Sequence, residues 1–128
     1  MSSPVSKYVT ILDRELHYVE WGDPAKRKLV LWHGLARTGR DFDDLAEALC
    51  EDWHIVAPDT IGRGLSQWSP SPQTEYCLDF YGKLATAFVD ALGWQEFDWV
   101  GTSMGGAIAL RAGAGPLAGR VQKLVLND

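Results

Sequence analysis

The chain has 128 residues, 46% of them apolar and 23% charged, with a formal net charge of −5. This is an ordinary soluble composition for at most about one domain, and no Lys/Arg cluster is present to neutralise the phosphates of a nucleic-acid partner. Its apolar runs are far shorter than the ~20 residues of a membrane helix, and the N-terminus has no apolar signal core, so we expect a cytoplasmic protein without a membrane partner.

The first half of the chain is predicted to form a hairpin followed by two buried strands with a helix between them. The hairpin turn at 13–15 is too short for a crossover, so its strands should be antiparallel and lie at a sheet edge. The next two strands are continuous apolar runs, which are typical of strands buried on both faces. In chain order we predict a strand at 8–12, a strand at 16–21, a strand at 28–32, a helix at 40–50 and a strand at 54–57.

The second half alternates helix and strand after a loop at 59–73 that is rich in Gly, Ser and Pro. In the first helix, apolar residues recur every four positions from Tyr76 to Leu92, which places them along one face, and Gly93 ends that helix. Repeated strand–helix–strand units imply an α/β fold, a mostly parallel sheet with helices on both faces. The predicted elements are a helix at about 75–92, a strand at 97–100, a helix at 104–114 and a strand at 121–126.

Residues 101–105 read Gly-Thr-Ser-Met-Gly, between a predicted strand and a predicted helix. In this context Gly-x-Ser-x-Gly is the pattern of a nucleophile elbow, a sharp turn that lifts the hydroxyl of Ser103 clear of the sheet. The alternative is a glycine-rich turn at a helix N-terminus that binds a phosphate or nothing. The spacing of Gly101, Gly105 and Gly106 does not fit a dinucleotide fingerprint, and no Gly-Lys-Ser/Thr follows, so a P-loop is excluded as well.

Two further motifs follow predicted strands. His33-Gly34 comes after the third strand, and Asp59-x-x-Gly-x-Gly-x-Ser66 comes after the fourth. In open parallel sheets the loops at the carboxyl ends of the strands build the ligand crevice, so all three motifs should meet at one rim. Within the second motif, Asp59 and Arg63 are expected to hold their loop together by local hydrogen bonds.

With these three motifs in order, the chain resembles an α/β-hydrolase over nearly all of its length. The resemblance implies that Ser103 is the nucleophile and that the main-chain N–H groups of Leu35 and Met104 form the oxyanion hole. Met104 begins a predicted helix, whose N-terminus favours negative charge. His33 precedes the serine, whereas the family order is serine, acid, histidine. We therefore expect His33 to brace the oxyanion loop rather than to act as the base.

A serine nucleophile implies acyl chemistry through an acyl-enzyme, on esters, thioesters, lactones or the carbon–carbon bonds of vinylogous 1,5-diketones. Haloalkane dehalogenases and soluble epoxide hydrolases have an aspartate at this place. We expect a carboxylesterase-like serine hydrolase of a small-molecule substrate, with an enol-lactonase or a carbon–carbon bond hydrolase as further options. The alternative is a non-catalytic, α/β-hydrolase-like receptor or ligand-binding protein.

No cofactor or metal is expected. Cys50 and Cys77 have no metal-site spacing and are expected to be reduced thiols. The histidines at 17, 33 and 54 are scattered along the chain and suggest no metal site. We expect His17 and His54 to be strand residues without a role in the site.

The resemblance also implies parts that follow Asp128. The sequence reaches about the sixth of eight expected strands, so we expect residues 1–128 to be the N-terminal part of a single domain. The cap, the last strands and the catalytic histidine would then belong to the C-terminal remainder of the same protein, present as a second chain. The catalytic acid is either Asp128 or a residue after the seventh strand. Asp128 follows the sixth strand, where some members of the family have their catalytic acid. We expect residues 1–128 alone to be neither stably monomeric nor appreciably active.

Overall fold

The computed structural model describes residues 4–127, and six strands in this range form one sheet. From one edge to the other the strand order is first, second, fourth, third, fifth, sixth. This order places the first hairpin at an edge, as predicted. The strands are β1 (Val5–Ile11), β2 (Arg14–Trp21), β3 (Arg27–Trp32), β4 (Trp53–Pro58), β5 (Phe97–Thr102) and β6 (Val121–Asn127).

The sheet is antiparallel at the hairpin edge and parallel elsewhere, which confirms the predicted α/β fold. β1 pairs antiparallel with β2, and β2 with β4, whereas β4, β3, β5 and β6 are parallel neighbours. The hairpin turn lies earlier than predicted, at Leu12 and Asp13, with φ of 49° and 61°. Two successive positive φ values belong to the two-residue turns whose twist matches that of the strands, and Arg14 already begins β2.

Two helix boundaries differ from the sequence expectation. The predicted helix at 40–50 is a 3-10 turn at Gly39–Phe42 followed by α1 (Asp43–Leu49), and the predicted helix at 75–92 is divided in two. The chain is extended at Cys77, with φ −152° and ψ 160°, so it cannot continue one helix there. The helices after α1 are α2 (Pro72–Glu75), α3 (Leu78–Leu92) and α4 (Met104–Gly113). In the described range, none of the helices has the length and apolar character needed to cross a membrane.

Both faces of the sheet are buried against helices. Along β3, Val30 and Trp32 face the cluster under α3 and α4, whereas Leu29 and Leu31 face the cluster under α1. This alternation follows from the two-residue period of a strand. The indole rings of Trp32 and Trp99 stack with their centroids 5.4 Å apart, which joins β3 to β5. The central strands are therefore fixed from both sides, and their carboxyl ends share one edge.

Candidate active site

Ser103 occupies a strained turn between β5 and α4. Its φ of 50° and ψ of −108° are rare for a residue with a side chain, and a conformation of this kind costs about 1–3 kcal/mol. The surrounding backbone fixes it. The Ser103 N–H donates to the Asn127 carbonyl at 2.8 Å, and the Ser103 carbonyl accepts from the N–H groups of Gly106 and Ala107. The side chain is exposed, so the predicted sharp turn presents the hydroxyl to the outside.

Two glycines make this turn possible because backbone lies where their side chains would be. A Cβ on Gly101 would lie 2.4 Å from the Gly106 nitrogen in α4. A Cβ on Gly105 would lie 2.0 Å from the Trp32 carbonyl oxygen at the end of β3. The first contact lies within the elbow, between its strand and its helix. The second contact shows that the elbow helix is also packed directly against the neighbouring strand.

Ser103 opens into a cleft of about 830 Å³ at the carboxyl edge of the sheet. The loops after β3 and β4 and the elbow after β5 all contribute to it, so the three sequence motifs meet as predicted. Its walls are largely apolar, which is typical of small-molecule sites. The lining residues are Leu35, Gly62, Arg63, Tyr76, Cys77, Leu78, Tyr81, Ser103, Met104 and Ala107.

Leu35 and Met104, the two residues expected to form the oxyanion hole, both line this cleft. Within residues 4–127, neither main-chain N–H donates to a protein acceptor. Met104 is the first residue of α4, where helical N–H groups have no partner inside the helix. Leu35 is 63% exposed, so it is not a core-packing leucine.

His33 joins the loop after β3 to the loop after β4. Its ring is fully buried, with Nδ1 2.6 Å from the Gly34 carbonyl oxygen and Nε2 2.9 Å from the Thr60 nitrogen. A carbonyl can only accept, so Nδ1 carries the proton and Nε2 accepts from the Thr60 N–H. Both nitrogens are therefore used in bracing, as expected, and neither is available to take a proton from Ser103.

Asp59 is the second brace, and it has a partner that the sequence reading missed. One carboxylate oxygen accepts the Gly39 N–H at 2.7 Å, and the other accepts the Leu65 N–H at 3.0 Å. The second oxygen also lies 2.8 Å from Nδ1 of buried His17, on β2. His17 thus belongs to the support of the site. The antiparallel register of β2 on β4 brings these two residues together, because Tyr18 opposite Pro58 puts His17 opposite Asp59.

Arg63 connects three parts of the cleft. Its Nη1 donates to the nearby Ile61 carbonyl at 3.1 Å, as a local loop contact should. The other contacts are tertiary: Nε donates to the Leu35 carbonyl at 3.0 Å, and Nη1 donates to the Tyr81 hydroxyl of α3 at 2.8 Å. Arg63 therefore joins the loop after β3 to α3, a reach that sequence alone did not predict.

Comparison with known proteins agrees with this architecture. The family model for the alpha/beta hydrolase fold matches residues 28–128. The chain belongs to the α/β-hydrolase family. A 3-hydroxybutyrate-oligomer hydrolase of Cupriavidus necator is 47% identical over 112 residues, which cover 87% of this chain and 38% of that protein. A serine hydrolase-like protein of Danio rerio is 37% identical over 95 residues, covering 74% of this chain and 29% of its own length.

Solved structures show the same relationship. The crystal structure of an alpha/beta hydrolase from Novosphingobium aromaticivorans matches with a TM-score of 0.87 and 35% identity, covering 100% of this chain and 45% of that one. The chain thus spans less than half the length of each of these three α/β-hydrolases. Asp128, the candidate acid, lies outside the described residues.

The buried brace of this α/β-hydrolase predicts a pH dependence of stability. Burial lowers the pKa of His33 from its ordinary 6.5, outweighing the Gly34 carbonyl, which raises it. The folded state thus keeps His33 neutral, whereas the unfolded chain takes up a proton once the pH falls below about 6.5. The stabilising contribution is fully present above that pH and is lost as the pH falls through the lowered pKa.

We therefore expect the thermal midpoint to fall between about pH 7 and pH 5. The control is His33→Gln, which keeps a donor and an acceptor but does not titrate. It should be less stable at pH 7, and its midpoint should change less across this range. An equal fall in both proteins would assign the pH dependence to other groups.

Proposed function

We propose that the complete protein is a serine hydrolase in which Ser103 attacks a substrate carbonyl. The observation that carries this proposal is the strained, exposed Ser103, held at positive φ at the start of α4 within an apolar cleft. A conformation that costs free energy and is over-determined by its surroundings is typical of a functional position. A ligand-binding role alone would not require the serine to be held in this way.

The reaction proceeds in two steps. The Ser103 hydroxyl adds to the carbonyl carbon as its proton passes to a base, and the carbonyl oxygen becomes an oxyanion. The N–H groups of Leu35 and Met104 donate to that oxyanion, and the positive end of the α4 dipole favours its charge. The leaving group departs with a proton and leaves an acyl-enzyme, which water then hydrolyses.

We propose that the C-terminal remainder of the same protein, as a second chain, supplies the base. No histidine of residues 4–127 lines the cleft, and both nitrogens of His33 are already bonded. Val125 and Leu126 of β6, at the sheet edge, are 56% and 55% exposed, so this edge offers an apolar surface for further structure. Asp128 and a carboxylate after a seventh strand are the two candidates for the acid.

We propose an ester as the substrate class, which makes the protein carboxylesterase-like. The Cupriavidus necator relative is named for hydrolysis of 3-hydroxybutyrate oligomers, and hydroxy acids oligomerise through ester bonds. The apolar cleft wall suits the hydrocarbon part of such an ester. Thioesters, lactones and vinylogous diketones require the same nucleophile and oxyanion donors.

A fluorophosphonate probe tests the assignment directly. We expect the complete protein to be labelled at Ser103, as located by peptide mass mapping, because an exposed and base-activated hydroxyl attacks phosphorus as it attacks a carbonyl. Heat-unfolded protein is the control and should not react, since the serine is activated only in the fold. Folded protein that hydrolyses esters while remaining unlabelled, or labelled at another residue, would contradict the role of Ser103.

A further inference from the structure

Arg63 is the one charged side chain among the described residues that line the Ser103 cleft. The other lining side chains are apolar or carry a hydroxyl or a thiol, and no carboxylate of the described chain forms an ion pair with Arg63. The cleft therefore carries an uncompensated positive charge. A fixed charge of this kind in an apolar site favours a ligand of opposite sign.

The guanidinium is held rigidly, with part of its donor fork unused. Nε donates to the Leu35 carbonyl, and the two Nη1 donors reach the Ile61 carbonyl and the Tyr81 hydroxyl. The ring centroids of Tyr76 and Tyr81 lie 5.7 and 5.3 Å from Cζ of Arg63. Within residues 4–127 the two N–H donors of Nη2 have no acceptor. A preorganised fork loses little conformational entropy when it binds an anion.

We propose that Arg63 binds a carboxylate carried by the substrate, so that the enzyme acts on esters of short acids with a free carboxylate end. Arg63 and Ser103 line the same cleft, so one molecule can place its carboxylate at Arg63 and its ester carbonyl at Ser103. Charge-assisted hydrogen bonds from arginine to a carboxylate are the strong ones in proteins. This inference rests on the proposed function and names its substrate class.

If Arg63 had a purely structural role, a different result would be expected. Because Arg63 also holds the Leu35 carbonyl, its loss could simply displace the oxyanion loop. That displacement would slow every substrate alike, mainly through kcat. Binding of a substrate carboxylate would instead affect only substrates that have one, mainly through KM.

The test uses the complete protein and two matched substrates, the linear dimer of 3-hydroxybutyrate with its free carboxylate and the methyl ester of the same dimer. We expect Arg63→Gln to lower kcat/KM for the carboxylate substrate by about 10- to 100-fold through KM. Hydrolysis of the internal ester of the methylated dimer should change much less. Arg63→Lys should recover part of the loss. Arg37→Gln is the control, since Arg37 pairs with Asp41 outside the cleft.

Equal losses on both substrates would overturn the proposal and leave Arg63 as a positioning residue. If Arg63→Gln does not fold, the wild-type protein still decides the question. Free 3-hydroxybutyrate should protect Ser103 from the fluorophosphonate at lower concentration than its neutral primary amide does. Equal protection would overturn the carboxylate site while Ser103 labelling stands. Absence of labelling and of hydrolysis would instead contradict the proposed function itself.

Discussion

Replacing Ser103 by alanine is expected to lower turnover of the complete protein by about 10⁶-fold, the scale observed when a triad nucleophile is removed. Among the described residues that line the cleft, the other hydroxyl groups are those of Tyr76 and Tyr81. The loss is this large because no second serine or threonine there can replace Ser103. The residual rate would come from substrate binding and the oxyanion donors alone. Steady-state hydrolysis of an ester by purified wild-type and variant protein measures it.

A second substitution at the same position separates chemistry from strain. Ser103→Gly removes the hydroxyl as alanine does, but glycine adopts φ of 50° without the clash of a Cβ. Both variants should be inactive, and the glycine variant should exceed the alanine variant in stability by about 1 kcal/mol. Denaturant unfolding of the pair measures this difference. Full activity in either variant would end the assignment of Ser103 as nucleophile.

The elbow could be predicted from sequence because its pattern, Gly-x-Ser-x-Gly between a strand and a helix, is local. Gly101 and Gly105 stand at the two positions where backbone approaches within van der Waals distance, and no other residue type fits there. The buried strands were equally local, since continuous apolar runs such as 28–32 indicate burial on both faces. From these strands the parallel sheet and its functional edge followed through the rules of chain connection.

The beginning of α3 could not be predicted, because the spacing of apolar residues does not show where the backbone leaves the helical conformation. Tyr76 stands four residues before Phe80, yet the extended Cys77 separates it from the helix. Tertiary contacts decide its position. The Tyr76 hydroxyl accepts the Ser69 N–H at 3.0 Å, and its ring covers Gly62, where a Cβ would lie 2.6 Å from that hydroxyl oxygen. Tyr76 therefore lines the cleft instead of continuing the core face.

The supports of the site were also beyond local reasoning. His17 and Asp59 are 42 positions apart, and Arg63 and Leu35 are 28 apart, so each contact exists only once the sheet is assembled. From the sequence we expected no role in the site for His17 and a local one for Arg63, since a single sequence does not reveal strand register. These nonlocal contacts determine where the motif residues stand relative to one another.

Gly105→Ala is expected to disrupt the elbow more than any ordinary core substitution. The added Cβ would lie 2.0 Å from the Trp32 carbonyl oxygen and 2.9 Å from that of His33, so backbone rather than a flexible side chain has to move. The backbone at the end of β3 is not free to move. Trp32 is pinned by its stack on Trp99 and by its indole N–H bond to Thr60. We expect a loss of about 3 kcal/mol or more in the free energy of unfolding.

Gly113→Ala is the matched control, because it makes the same chemical change in the same helix. Apart from its chain neighbours and the backbone of its own helix, no atom of the described chain lies within 4 Å of a Cβ on Gly113, so alanine should be neutral or slightly stabilising through its helix propensity. Denaturant unfolding of the wild type and both variants gives the comparison. If Gly105→Ala matches Gly113→Ala in stability, α4 does not pack against β3 as described. If only Gly105→Ala is destabilised and it also loses Ser103 labelling, the contact that permits the turn is the one that positions the nucleophile.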